Sequence, residues 1–381
     1  MCYTEFYIKN RIRGNKIKES EELMDLRLDS FIKTFISSPP FAISIILVLA
    51  VIFVNGWTDA PNAIATCVST RAMKAKTAVM MAAVFNFIGV LVMTLLTAKI
   101  AETIYNMVDF SEVTVSSDSN PAMIALCAAL FAIVIWATAA WYFGIPTSES
   151  HALIAGVSGS AIAMGGLGGI NFNEWIKVIY GLGLSTVLGF VAGFGIVKLA
   201  EILFKKVNRA FANSFFNAGQ IAGGASMAFM HGAQDGQKFL GVMLLGMSLA
   251  QGQVNTPSFN SNDVPLWIIV LVSLVMGVGT SIGGYRIIKA VGMDMVKLQK
   301  YQGFSADLAA SGCLLLSTLT GIPVSTTHTK TTAIMGAGAA RRVSTVNWGV
   351  VKEMFSAWIL TFPGCGLIAF LVTKIFVAFF T

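Results

Sequence analysis

Asn55-Gly-Trp-Thr-Asp59-Ala-Pro-Asn62-Ala-Ile-Ala-Thr66 and His231-Gly-Ala-Gln-Asp235-Gly-Gln-Lys238 each set an aspartate in the middle of an otherwise apolar run. Each is answered downstream by a proline-led hydroxyl cluster: Pro146-Thr147-Ser148-Glu149-Ser150-His151 after the first, Pro323-Val324-Ser325-Thr326-Thr327-His328 after the second. From Asp59 to Pro146 is 87 positions and from Asp235 to Pro323 is 88, so the halves repeat with an offset of 176 to 177 residues. An internal duplication that places polar groups at matching depths of apolar segments is the signature of a secondary transporter with its substrate between the repeats.

Composition supports the membrane part of this reading independently. Hydrophobic residues make up 55% of the 381 and charged ones 12%, with a mean hydropathy of +0.74; a soluble domain carries about 25% charge. At least nine apolar stretches approach the roughly 20 residues that cross a bilayer, among them 41–54, 77–98, 122–143, 178–200, 239–250, 266–281, 308–320 and 355–380. Rich in Gly, Ala, Leu and Phe and without period-2 alternation, they predict helices rather than a barrel. The fold expected is all-α: a polytopic membrane protein of two inverted-topology repeats, with broken helices and helical hairpins at the midplane.

The loops set the expected topology. Basic clusters at Arg71-Lys74-Lys76, Lys205-Lys206-Arg209, Arg286-Lys289-Lys297-Lys300 and Arg341-Arg342 fit cytoplasmic loops, so the net charge of +7 needs no nucleic acid to explain it. The 99–120 loop is acidic (Glu102, Asp109, Glu112, Asp118) and is expected outside. Counting from residue 41 gives five crossings in the first half, an odd number, which inverts the second half relative to the first. The expected division is an amino-terminal surface segment 1–40, repeat 41–202, a basic cytoplasmic linker 203–214 and repeat 215–381. Residues 1–40 hold an amphipathic run near Leu23 to Phe35, expected to lie on the surface, and no cleavable signal peptide is expected there. The five cysteines lack metal spacing and read as small packing residues.

A carboxylate at bilayer depth costs at least about 2.5 to 3.5 kcal/mol, so Asp59 and Asp235 need a cation, a partner or a watery cavity. Lys238, three residues on, is a local partner for Asp235; Asp59 has Asn62 at the equivalent place. Oxygen donors without fixed positive charge are what a hard cation such as sodium prefers. Gly56, Pro61, Gly232 and Gly236 are expected to break the helices there and free carbonyls. The second motif offers the opposite chemistry. Hydroxyl residues after a proline open a helix as N-caps, and a helix start presents unpaired N–H groups to an anion. Ordinary capping explains either copy alone, but not both in register with the aspartates. His151, His231 and His328, all the histidines of the chain, fall inside these motifs and are expected to touch substrate or fix the hydroxyls. Glu149 is expected to carry a proton, bind a cation or point away, and Asp307 to be either a supporting group or an interfacial helix end.

The blocks GWTDAPNAIAT with PTSESHALIAG and HGAQDGQKFLG with PVSTTHTKTTAIMG resemble the inorganic phosphate transporter (PiT) family over nearly all of residues 41–380. The resemblance implies cation-coupled uptake of phosphate across the cytoplasmic membrane by a multi-pass protein, an inverted-repeat fold and a homodimer. Carried over by position, it implies phosphate ligands among Asn62, Thr147, Ser148, Ser325, Thr326, Thr327 and Gln237. It implies co-transported sodium at Asp59, Asp235, Asn62, Ser148 and Ser325, with His151, His231, His328, Lys238, Glu149 and Asp307 in support. The chain departs from the family pattern at Thr58 and Gln234, where asparagine usually precedes the aspartate. Proton coupling and sulfate as substrate are the alternatives within transport. The alternative of another class, an intramembrane aspartyl protease, lacks its Gly-x-Gly-Asp and Tyr-Asp contexts. No HExxH or Walker motif points to other enzyme chemistry.

Overall fold

The computed structural model describes residues 24–59, 61–108, 120–145, 147–252 and 263–380. Pro146, the loop acids Asp109, Glu112 and Asp118, and most of the amino-terminal segment lie outside the described residues. What is described is helical, without a β-strand: α1 Leu28–Ser37, α2 Pro39–Thr58, α3 Pro61–Ser69, α4 Ala75–Leu96, α5 Lys99–Tyr105, α6 Asn120–Phe143, α7 Glu149–Gly165, α8 Phe172–Leu203, α9 Arg209–Ala250, α10 Leu266–Ile282, α11 Tyr285–Lys289, α12 Lys300–Thr320, α13 Thr326–Ala339 and α14 Trp348–Phe380. Seven of the described stretches are long and apolar enough to cross a membrane. The pair Leu266–Ile282 and Ile287–Asp294, bent by 75°, makes an eighth if counted as one broken span. This is a multi-pass membrane protein.

The two acid-bearing segments fold differently. α2 stops at Thr58 and α3 restarts at Pro61, because proline has no N–H to give the helix and its ring clashes with the preceding turn. In the second half the matched residue is Gln237, and α9 runs without interruption for 42 residues through Gly232, Asp235 and Gly236. The expectation that these glycines break the helix is therefore wrong: glycine weakens a helix only modestly when neighbours pack against it. The apolar run 239–250 is likewise the end of α9 and not a span of its own. At 1.5 Å per residue α9 is about 63 Å long, and its segment from Met230 to Leu249 is buried.

Packing partners are exchanged between the halves. α8 lies on α13 and α14 on α7; α2 lies on α10 and α9 on α4; α6 meets α14 and α12 meets α8. The closest approaches repeat as well. Gly56 sits against the backbone of Met276 to Thr280, and its counterpart Gly232 against that of Asn86; a Cβ at Gly56 would come 2.6 Å from the Met276 carbonyl oxygen. Small connections match too: Asn171 N–H donates to the Met107 carbonyl at 3.1 Å, and Asn347 N–H to that of Met295 at 2.9 Å.

Two apolar cores result, with a polar layer between them. One takes Phe41 to Ile52 of α2 and Phe239 to Leu249 of α9; the other takes Ala63 to Ala65 of α3 and Met227 to Ala233 of α9. Both acid-bearing segments pass from core to core at the level of their aspartates. At the amino terminus α1 packs Phe31 on Trp267, ring centroids 4.8 Å apart. Just ahead of it, hydrogen bonds from Arg27 hold the exposed Asp25 carboxyl at about 2.

Candidate functional site

The polar layer brings the four motif pieces together. Thr326 Oγ1 lies 3.3 Å from Asp59 Oδ2 and 3.3 Å from Asp235 Oδ2. His231 Nε2 lies 3.3 Å from the same oxygen of Asp235 and 4.0 Å from that of Asp59. Asp59, His231 and Asp235 thus present ligand atoms within 4.8 Å of one another, all buried. Asp59 Oδ1 also accepts from Asn62 Nδ2 at 2.5 Å and from the Thr327 hydroxyl. Asp235 accepts from Asn55 Nδ2 at 3.2 Å and from Lys238 Nζ at 2.7 Å.

The two helix starts meet head to head. Ser148 caps α7 by accepting from His151 N–H at 3.3 Å, and Ser325 caps α13 by accepting from His328 N–H at 3.1 Å. Their hydroxyl oxygens are 2.8 Å apart. Each cap thereby satisfies one orphan donor of its helix and leaves the neighbouring N–H groups and the dipole pointing at a shared spot.

Glu149, in the first turn of α7, is 3% exposed and accepts from Thr58 Oγ1 at 3.1 Å. At formal charge, the three carboxylates Asp59, Asp235 and Glu149 face one ammonium, Lys238. A buried excess of negative charge favours an incoming cation and opposes an anion arriving alone. The amide oxygens of Asn55 and Asn62 are buried and accept no hydrogen bond among the described residues; with the Asp59 carboxylate they supply donors suited to a hard cation.

Other expected residues lie at varying remove. Thr147 is half-buried and its hydroxyl enters none of these bonds. Gln237 is buried with both amide atoms unpartnered among the described residues. His151 and His328 face each other, ring centroids 4.3 Å apart, and His328 stacks on Trp358 at 3.7 Å. They back the caps and do not reach the carboxylates. Asp307 belongs to a neighbouring cluster: fully buried within α12 and so no interfacial helix end, it pairs with Lys330 and accepts from Gln220 and, at 2.8 Å, from Thr66 Oγ1. At the matched positions of Asp307 and Lys330, 177 residues away, and of Thr66, 176 away, the other half carries buried Leu130, Leu153 and Val242.

Sequence reasoning missed Asn55 and Thr58 as members of the site, although both stand in the first quoted block. It also missed Asn86, whose Oδ1 is 2.9 Å from His231 Nδ1, and the Lys330 cluster. The available signal was the same in each case: a polar residue isolated in an apolar segment, where burial demands a partner. The two departures from the family pattern both keep partners, Thr58 on Glu149 and Gln234 on Ser317 at 2.6 Å.

Buried acids and paired helix starts between the packed halves are the features of a membrane transporter. Residues 55–369 match the phosphate transporter family, and the chain belongs to that family. It is 39% identical over 320 residues to a probable low-affinity inorganic phosphate transporter of Bacillus subtilis (strain 168), spanning 84% of this chain and 92% of the other. It is 37% identical to a protein of the same description from Rhizobium meliloti (strain 1021), over 83% of this chain and 90% of that one. Its fold is similar to a solved structure described as the sodium-dependent phosphate transporter, with a TM-score of 0.79, 21% identity, and coverage of 88% of this chain and 98% of the other. The relatives are transporters, and the enzyme reading is set aside with them.

Proposed function

We propose that the chain is a sodium-coupled phosphate symporter whose phosphate is held between the starts of α7 and α13. The observation that carries this reading is the contact of Ser148 with Ser325 at 2.8 Å, beside a hydroxyl, Thr326 Oγ1, that touches both aspartates. In the proposal Ser148, Ser325, Thr326 and Thr327 donate to phosphate together with the unpaired N–H groups of the two helix starts. Asn62, Thr147 and Gln237 complete its surroundings. Sodium binds Asp59 with the Asn62 and Asn55 oxygens, and Asp235, Ser148 and Ser325 border the cation site. A cation alone is drawn to the excess negative charge, and once bound it offsets the cost of bringing in the anion, which couples the two bindings. The matched packing of 41–202 and 215–381 supports an inverted pair of repeats able to open alternately to either side. The homodimer implied by resemblance is part of the same proposal.

The test is phosphate uptake into proteoliposomes with sodium, potassium or a proton gradient as the only driving force. Uptake driven by sodium alone is expected; no phosphate uptake under any gradient defeats the proposal. One observation favours a second reading, proton coupling: Glu149 is a buried carboxylate whose hydrogen-bond partner among the described residues is a single hydroxyl. Uptake driven by a proton gradient without sodium selects it. Excess sulfate in the same assay reads substrate choice, and undiminished phosphate uptake is expected.

A further inference from the structure

The two halves of the polar layer are built alike around a different central group. Asn62 and Lys238 are separated by the repeat offset of 176. Asn62 Nδ2 reaches its own aspartate, Asp59, at 2.5 Å and the third hydroxyl of the opposite motif, Thr327, at 3.2 Å. Lys238 Nζ reaches its own aspartate, Asp235, at 2.7 Å and the third hydroxyl of the other motif, Ser150, at 2.6 Å; the Val324 carbonyl, at 2.6 Å, takes its remaining proton. The ammonium is fully buried. A carboxylate, a hydroxyl and a main-chain carbonyl at such distances form the donor set of a hard monovalent or divalent cation, and an ammonium has three donors for them. One shell is therefore filled by a neutral amide and the other by a unit positive charge.

We infer that Lys238 is a tethered cation, holding permanently the place beside Asp235 that a mobile coupling ion takes beside Asp59. The inference rests on the proposed cation-coupled transport of phosphate. It fixes what that proposal leaves open: the acid pair loads one mobile cation per cycle, not two. Repeat symmetry supplies reciprocal tests. Lys238→Asn gives the second shell the amide that the first possesses and opens it to a mobile ion. Asn62→Lys closes the first shell with a second tethered charge.

The full chain is reconstituted in proteoliposomes, and the number of cations moved with each phosphate is read from the reversal potential, with sodium and then protons as the driving cation. Lys238→Asn is expected to move one cation more than the wild type and Asn62→Lys one fewer. An unchanged number in a folded, active variant overturns the inference, as does an unchanged number with weakened phosphate affinity, which makes Lys238 a substrate ligand. Should neither variant be recovered folded, the wild type decides. Its thermal stabilisation by sodium, measured without phosphate, is expected to follow one bound ion, and a two-ion dependence overturns the inference. A wild type that takes up phosphate with no cation under either gradient defeats the proposed coupling and this inference together; a coupled wild type with unaltered variants defeats this inference alone.

Discussion

Asp59 illustrates what one side chain decides in a buried polar layer. Its carboxylate is met by an amide and hydroxyls, and by His231 only at 4.0 Å, whereas Asp235 has Lys238 in contact. Asp59→Asn is expected to raise the sodium concentration for half-maximal phosphate uptake by about 10- to 100-fold, the worth of one hydrogen-bonded charge; a sodium titration of uptake checks it. Asp235→Asn also strands an ammonium and is expected to lower the amount of folded protein, seen as a lower Tm in detergent. Ser148→Ala and Ser325→Ala each remove a cap worth about 1 kcal/mol. Because the two hydroxyls share one contact, the double replacement is expected to weaken phosphate binding by less than the product of the single effects; equilibrium binding of labelled phosphate to the four proteins measures this. These residues were legible in the sequence because each costs free energy unless partnered and each occurs twice at one offset. Asn55 and Thr58 were less so, since nothing in a linear motif says that Asn55 crosses to the aspartate of the other half.

The helices were legible where proline or apolar length fixes them and illegible where packing decides. Pro61 gave away the break after α2, while Gly232 and Gly236 misdirected the reading of α9, whose continuity depends on Asn86 and Val90 of α4 pressing against them. That closeness has a measurable cost. A leucine at Gly56 is expected to destabilise the protein by about 1–3 kcal/mol, because α2 must part from α10 where the Cβ would lie 2.6 Å from a carbonyl oxygen; thermal unfolding in detergent reads it. The Lys330–Asp307 pair ties α13 to α12 with Thr66 of α3 and Gln220 of α9 bound to the same groups. Lys330→Met alone leaves a buried charge and is expected to cost about 3–5 kcal/mol, much of it regained when Asp307→Leu is added. Equal Tm values for the single and double variants would contradict that account. The sequence held both residues in view, but 23 positions and a turn separate them, and the apolar residues of the other half offer no second copy to compare.

At the scale of the molecule the helices of each half pack on those of the other, and the polar layer lies where the acid-bearing segments pass between two apolar cores. A chain divided within residues 204–208, between α8 and α9, is expected to yield two fragments that are degraded when expressed singly and recovered as a stable, uptake-competent complex when expressed together; co-purification through a tag on one fragment decides it. The same interlocking constrains biosynthesis. When residue 203 has left the ribosome, α7 and α8 are inserted without α14 and α13, the surfaces they are shaped to meet, and must wait for well over a hundred further residues. Through that interval their small-residue faces are in the keeping of lipid or of the insertion machinery. Protease resistance of the first half is thus expected to arise late, only once α13 and α14 have been delivered.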